Sequence, residues 1–290
     1  MTQINKTMSF YKSENKTNIF NRNNDTVKHS YLLIMLILTF LPFWLIFVIS
    51  FKDQTQFYHN IWVLDFPMHF ENYTLAFKVI GKYMLNSIIV SVVTVIGVVV
   101  VSSLSAYVFA RYEFPLKEFL FFCIISLLMV PNILTMVPAF IMIKNFGLIN
   151  TLWAIILPGI AGLQIFAIYL MKNFMASIPE ELFEATRMDG AGLFRGYWHL
   201  ALPLSRPVIT MVVIVALLTT WNDFIWPYVV IIDDDLRTIP IGLSFFHTQY
   251  ETIYGPLMAG YVISIVPLFI VFVFISREFI KGMTTGALKL

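Results

Sequence analysis

Six apolar runs alternate with polar stretches along this chain, at roughly 31–51, 85–110, 119–143, 151–171, 208–232 and 257–279. Each is close to the ~20 helical residues that cross a hydrocarbon core of about 30 Å. The runs are continuous rather than alternating, so they do not read as barrel strands, and in lipid their backbone groups must be satisfied within helices. The pattern therefore predicts an all-α membrane protein with six transmembrane helices over residues 30–290. The segment before it, 1–29, is rich in Asn, Lys, Ser and Thr and is predicted to be a disordered tail. The polar interval 176–207 lies between the fourth and fifth runs and has a helical period of its own. Connections of that length are usually functional.

Within that interval, Ser177-Ile-Pro-Glu180 predicts a capping box that opens a helix, with proline tolerated in the first turn. Glu180, Glu184 and Arg187 follow at i, i+4 and i+7 as one charged stripe, with Leu182, Ala185 and Met188 away from it. Gly190 is placed to end the helix in a left-handed conformation. A second short helix is predicted to carry Leu193, Phe194, Tyr197 and Trp198 as an aromatic face that must be buried, before Pro203 and Pro207 return the chain to the membrane. Periodicity alone leaves open whether this is a docking element or a loop folded onto its own helix ends.

Composition agrees with the pattern: of 290 residues, 59% are hydrophobic and only 12% charged. The placement of Lys and Arg sets an orientation, because cationic residues concentrate on the cytoplasmic side. With the amino terminus inside, 14 of the 19 fall in inner segments, leaving Lys52, Lys78, Lys82, Lys144 and Arg237 outside. Both termini and the 176–207 loop are then cytoplasmic. The formal charge of +2 follows from this topology and gives no reason to invoke nucleic acid. The first apolar run is too long for a cleaved secretory signal and reads as a membrane anchor. The Asn-x-Thr patterns at Asn5 and Asn15 fall on the predicted inner face and are chance matches. The single Cys123 forbids an internal disulfide.

Chemistry-bearing candidates are few. The second run carries Asn86, Ser87, Ser91, Thr94, Gly97, Ser102, Ser103 and Ser105, small residues that let helices approach closely in lipid. The third has Pro131-Asn132 and Pro138, and the fourth has Pro158-Gly159 with Gly162 and Gln164. Such interruptions fit a pathway wall, where freed backbone groups face protein or water, or plain kinks. In the fifth run, Trp221-Asn222-Asp223-Phe224 brings a carboxylate to about 23 Å from the inner surface at ~1.5 Å per residue. A carboxylate there is costly and faces a cavity or partner, or else it breaks the helix. Asn132, Gln164, Trp221, Asn222 and Asp223 are the candidate pathway residues. Asp233-Asp234-Asp235 is a lone acidic run and reads as a solvated loop, and the five histidines lack ligand spacing, so no metal site is expected. No G-x-x-x-x-G-K-[ST] occurs, so the chain has no loop to cradle ATP phosphates. A membrane-embedded enzyme would need several acid, base or metal groups at one depth. An ion-coupled carrier would need several intramembrane carboxylates and usually an internal repeat. Asp223 alone supplies neither.

The 180–207 stretch resembles the cytoplasmic "EAA" loop of permease subunits of ATP-binding-cassette importers, whose pattern is E-A-A, three residues, G, nine residues, I-x-L-P. Glu184-Ala185-Thr186, Gly190, Leu200 and Leu202-Pro203 keep that spacing, with Thr186 and Leu200 as mild departures. Asp189-Gly190-Ala191, Trp221-Asn222-Asp223-Phe224, Asp65-Phe-Pro67, Glu71-Asn72-Tyr73, Asn86-Ser87 and the tail Lys281-Gly-Met-Thr-Thr-Gly-Ala-Leu-Lys289 are similar to the carbohydrate branch, maltose-permease-like and of the second-permease kind. The resemblance covers about 30–290. It implies a MetI-like, type I importer core and a multi-pass subunit of a bacterial or archaeal inner membrane. Its implied partners are a second homologous permease, two ATP-binding-cassette ATPase subunits that bind the ATP, and an extracytoplasmic solute-binding protein. No cofactor of its own and no enzymatic activity are implied. Glu184, Ala185, Asp189, Gly190, Ala191, Leu202 and Pro203 would form the surface coupled to the ATPase, with Phe194, Tyr197 and Trp198 setting the loop against the core.

Overall fold

A computed structural model describes residues 25–247 and 252–275. In chain order the helices are α1 (Asp25–Ile49), α2 (Gln54–His59), α3 (Glu71–Arg111), α4 (Lys117–Ser126), α5 (Asn132–Asn145), α6 (Trp153–Ala176), α7 (Glu180–Met188), α8 (Leu193–Gly196), α9 (Leu202–Leu204), α10 (Arg206–Trp221), α11 (Ile225–Val230), α12 (Ile239–Ser244) and α13 (Tyr254–Ile275). The tail expected to be disordered lies outside the described residues up to position 24. Asp25–His29 already belong to α1, where Asp25 pairs with Lys28 at 3.2 Å. The Lys281–Lys289 motif also lies outside the described residues.

Four helices are long and apolar enough to cross a membrane, α1, α3, α6 and α13, and the count rises to six if each of two bent pairs is one span. The third span is one of these pairs, turning by 104° between Met129 and Asn132. Pro131 is the cause: it cannot donate to the helical ladder and holds the preceding residue extended. The other pair joins Leu193–Leu204 to α10, and because α10 ends at Trp221 and α11 starts only at Ile225, the run at 208–232 is not one continuous helix.

The second span is longer than its apolar run, because α3 has 41 residues. Its early turns are held by protein rather than lipid: Ala76, Ile80 and Tyr83 are buried against Ile239, Leu243 and Leu257. At the centre α3 packs on α6, and the small residues permit the close approach. A Cβ on Gly97 would sit 2.3 Å from Ile160, and one on Gly159 would sit 3.2 Å from Thr94. Ser91, Thr94 and Ser102 are buried along the same seam.

Opposite ends of α3 organise opposite ends of the bundle. At its start, Asn72 donates to the carbonyls of Ser50 (3.0 Å) and Lys52 (2.9 Å), and Asn86 donates to those of Asp235 (2.7 Å) and Arg237 (3.0 Å). Its end lies beneath the 176–207 loop.

Candidate functional site

The loop is built from two short helices joined by a tight turn. Glu180 does open α7, but Ser177 does not cap it. The Ser177 hydroxyl donates to Phe174 O at 2.8 Å, because α6 runs to Ala176 and claims that residue as its own C-cap, and Pro179 precedes α7 without a side-chain cap. Glu180 is instead drawn to two guanidinium groups, Arg111 at 2.7 Å and Arg187 at 3.2 Å. The predicted charged stripe therefore divides. Glu184 is exposed and makes no ion pair among the described residues.

At the end of α7, Gly190 has φ +77°. Gly190 N donates to Arg187 O at 2.9 Å and Ala191 N to Thr186 O at 3.1 Å, the paired bonds of a Schellman turn. Asp189, the C-cap residue, is exposed beside them. No atom lies within 4 Å of a Cβ added at Gly190, so glycine is needed for the backbone conformation, not for space.

After α8, residues Tyr197–Ala201 form a π turn in which Leu202 N reaches back to Tyr197 O. Pro203 accounts for it: its ring would strike the carbonyl four residues earlier in a regular helix, and the wider turn relieves that. Leu202 is half-buried, whereas Pro203 is exposed at the surface. The chain then bends by 75° into α10.

The aromatic face predicted to be buried is mostly outward. Of its members only Tyr197 is buried; Leu193 and Trp198 are exposed and Phe194 is 73% exposed. The inward side consists of Phe183, Gly196, Tyr197 and Ala201, because the π turn sends 196–197 and 201 to the same side and 193, 194 and 198 to the other. They meet the end of α3. Ser103 Oγ and Tyr197 Oη are 2.7 Å apart, and the Tyr107 ring contacts those of Phe183 and Tyr197 at 6.3 and 5.5 Å. A Cβ on Gly196 would fall 2.9 Å from Tyr107 Oη. Sequence reasoning missed Arg111, Tyr107, Phe183 and Gly196; the Arg at the end of an apolar run was the available signal.

The outward side is an apolar rim around a polar turn. Leu182, Met188 (88% exposed), Leu193, Phe194 and Trp198 are exposed, as are Glu184, Ala185, Asp189 and Gly190, while Ala191 is half-buried.

A second feature lies at the broken fifth span. Trp221, Asn222, Phe224, Ser244, Tyr261 and Ser264 line a cavity of about 350 Å³. Trp221 and Asn222 are thus brought together, whereas Asn132 (exposed, at the start of α5), Gln164 (half-buried on α6) and Asp223 do not line it. An Asp223 carboxylate oxygen accepts weakly from Trp226 N at 3.4 Å, as a residue opening α11 does. Beyond that helix Asn150, unnoticed in the sequence, accepts from Ile232 N (3.0 Å) and Asp233 N (2.7 Å). The acidic run is not freely solvated either: Asp234 bonds Lys82, Tyr83 (2.8 Å) and Arg237 (3.1 Å).

Residues 99–284 match the family described as binding-protein-dependent transport system inner membrane component. The chain belongs to this family. It is a permease subunit of an importer and not an enzyme. Among curated relatives, the permease is 36% identical over 242 residues to a probable ABC transporter permease protein, YurM, of Bacillus subtilis, covering 83% of this chain and 80% of that one. It is 34% identical over 246 residues to the arabinooligosaccharides transport system permease protein AraQ of Halalkalibacterium halodurans, with 83% and 88% covered. Among solved structures, a bacterial ABC transporter involved in the import of the acidic polysaccharide alginate contains a chain of the same fold. The TM-score is 0.76 at 20% identity, with 89% of the permease and 97% of that chain covered.

Proposed function

We propose that the permease imports a carbohydrate or a sugar-like solute by alternating access, and that its 176–207 loop is the element on which an ATPase subunit acts. The observation that carries this reading is the outward side of the loop. Glu184 is an unpaired carboxylate, Gly190 makes a sharp turn, and Met188, Leu193, Phe194 and Trp198 offer an apolar rim. A charge gives register and steering, and a desolvated apolar rim gives affinity. Relatives named for arabinooligosaccharides, with the motifs of the carbohydrate branch, support the substrate class. In the assembly proposed, this chain pairs with a second homologous permease, two ATPase subunits dock from the cytoplasm, and a solute-binding protein delivers from outside. Both termini are cytoplasmic in this reading. The cavity at Trp221 and Asn222 lies on the solute path, where an aromatic face and an amide suit the apolar and hydroxyl surfaces of a sugar.

The test uses single cysteines at Arg195 and Asp234 in a Cys123→Ser background. An impermeant thiol reagent should label Asp234→Cys from outside only and Arg195→Cys from inside only, and added ATPase subunit should protect the latter. Labelling of both from one side, or no protection, refutes the reading. With the assembled transporter in vesicles, arabinooligosaccharide-loaded binding protein should stimulate ATP hydrolysis above the unloaded protein.

A further inference from the structure

The proposed docking surface is only useful if a pull on α7 reaches the membrane helices, and α7 itself is loosely held. Phe183 is its one buried residue. One side chain from elsewhere reaches α7, α6 and α3 together. Arg111, the last residue of α3, has a side chain only 5% exposed. One Nη donates to Glu180 at 2.7 Å, and the other donates to both Met175 O and Ile178 O at 2.5 Å. Its guanidinium lies 4.0 Å over the Phe183 ring. Nε is buried without a hydrogen-bond partner among the described residues, so the group is held there through both Nη atoms and its flat face.

We infer that Arg111 is the positioning residue that clamps the loop to the bundle, so that α7, the end of α6 and the end of α3 move as one body. The inference rests on the docking role proposed above. Three features favour a clamp over an ordinary ion pair. The two carbonyls it holds lie where α6 ends, at the negative pole of that helix, so a fixed cation there is favoured. The planar fork bonds three acceptors while stacking, which a lysine cannot copy. The guanidinium, 5% exposed, makes its two carbonyl bonds out of solvent, whereas Glu180 is 47% exposed and its share of the hold is screened. Tyr107 and Gly196 close the other side of the same joint, and the aromatic contacts there lack the directionality to stop α7 rotating about Phe183.

The test follows transmission rather than folding. In a Cys123→Ser background, Ser244→Cys reports thiol reactivity in the cavity of the assembled transporter, with and without ATP. ATP should change that reactivity several-fold when Arg111 is present. Arg111→Lys should retain co-purifying ATPase subunits but lose the response by on the order of tenfold, the equivalent of ~1.4 kcal/mol of coupling. Glu180→Gln, which spares the carbonyl bonds and the ring contact, should lose no more than about twofold, as for a half-exposed pair. A full response in Arg111→Lys overturns the clamp. Equal losses in both variants overturn it in favour of the ion pair, and failure of Arg111→Lys to assemble overturns it in favour of a plain folding role. No response to ATP with Arg111 intact, with the ATPase bound, would instead refute the docking reading itself.

Discussion

The two ends of α3 do the same job with different chemistry. Each ties a connecting segment to the long helix: residues 232–238 at the start and 176–207 at the end. At the start the ion pair is in contact with water, although Tyr83 beside it is buried. Lys82 and Asp234 pair with 44% and 47% of their side chains exposed, Tyr83 adds a hydroxyl and Asn86 bonds two carbonyls. At the end the cation is buried, stacked on one ring and bonded to two carbonyls and one carboxylate. Exposed pairs contribute about 0–1 kcal/mol and weaken with salt, so the first joint can give locally. A buried charge with its partners removed costs several kcal/mol, so the second joint is held as a unit or lost as a unit. A joint that must transmit force suits the second design, and one that must only close a loop suits the first.

The largest expected effect is at the buried joint. Phe183→Ala removes a ring that is 3% exposed and leaves a cavity under the guanidinium, costing about 3–5 kcal/mol of local stability. Tryptic cleavage at Arg187 in the purified permease should accelerate markedly. Tyr83→Phe, its counterpart at the other end, loses one hydrogen bond and should cost about 1 kcal/mol. Equal costs for the two would erase the contrast.

Next is Gly190→Val, which forces a β-branched residue to φ +77° at about 1–3 kcal/mol. Retention of the ATPase subunit on co-purification should fall roughly tenfold or more, with membrane levels unchanged. Because no neighbour crowds the site, Gly190→Asn should recover most of the loss, asparagine tolerating the left-handed region. If valine and asparagine behave alike, side-chain chemistry rather than backbone conformation is at work.

The smallest effects belong to the exposed joint. Lys82→Met should lower the unfolding temperature only slightly, and added salt should bring wild type and variant together in thermal unfolding. Its pH dependence has a definite sign. Bonding first to Lys82 and then to Tyr83 holds the Asp234 carboxyl below the ordinary aspartate value. Its contribution is therefore complete above about pH 4 and is lost only as pH falls below that, through the depressed folded value. A bimane fluorophore at Ile232→Cys should be steady between about pH 5 and 8 and change only in acid, and in Lys82→Met the change should begin at higher pH. A transition near neutrality would show that another group governs the segment.

Much of this architecture is legible in one dimension because lipid enforces it. A run that must cross the bilayer has to be apolar and helical, so the long helices α1, α3, α6 and α13 and the interruption at Pro131 can be read directly. The turn at Gly190 is equally local: glycine after a helical stretch predicts the left-handed residue that the structure shows. The aromatic face of α8 was misread for the opposite reason. Its period assumes a regular helix, and the π turn before Pro203 rotates Tyr197 inward while leaving Phe194 and Trp198 outside. Ser177 likewise satisfies the capping pattern but is claimed by the helix before it.

The sequence by itself determined the membrane class, the position of the long polar connection and the residues its turn requires, since each depends on solvent, spacing or the backbone of neighbouring residues. Only the tertiary structure decided which side of the connection faces α3, that Glu180 rather than Glu184 is taken up by internal guanidinium groups, and that Trp221 and Asn222 share a cavity without Asn132 or Gln164. Those outcomes depend on side chains brought together from positions such as 111, 175, 178, 180 and 183, and the free energy of burying a charge is set by partners that sequence spacing does not encode.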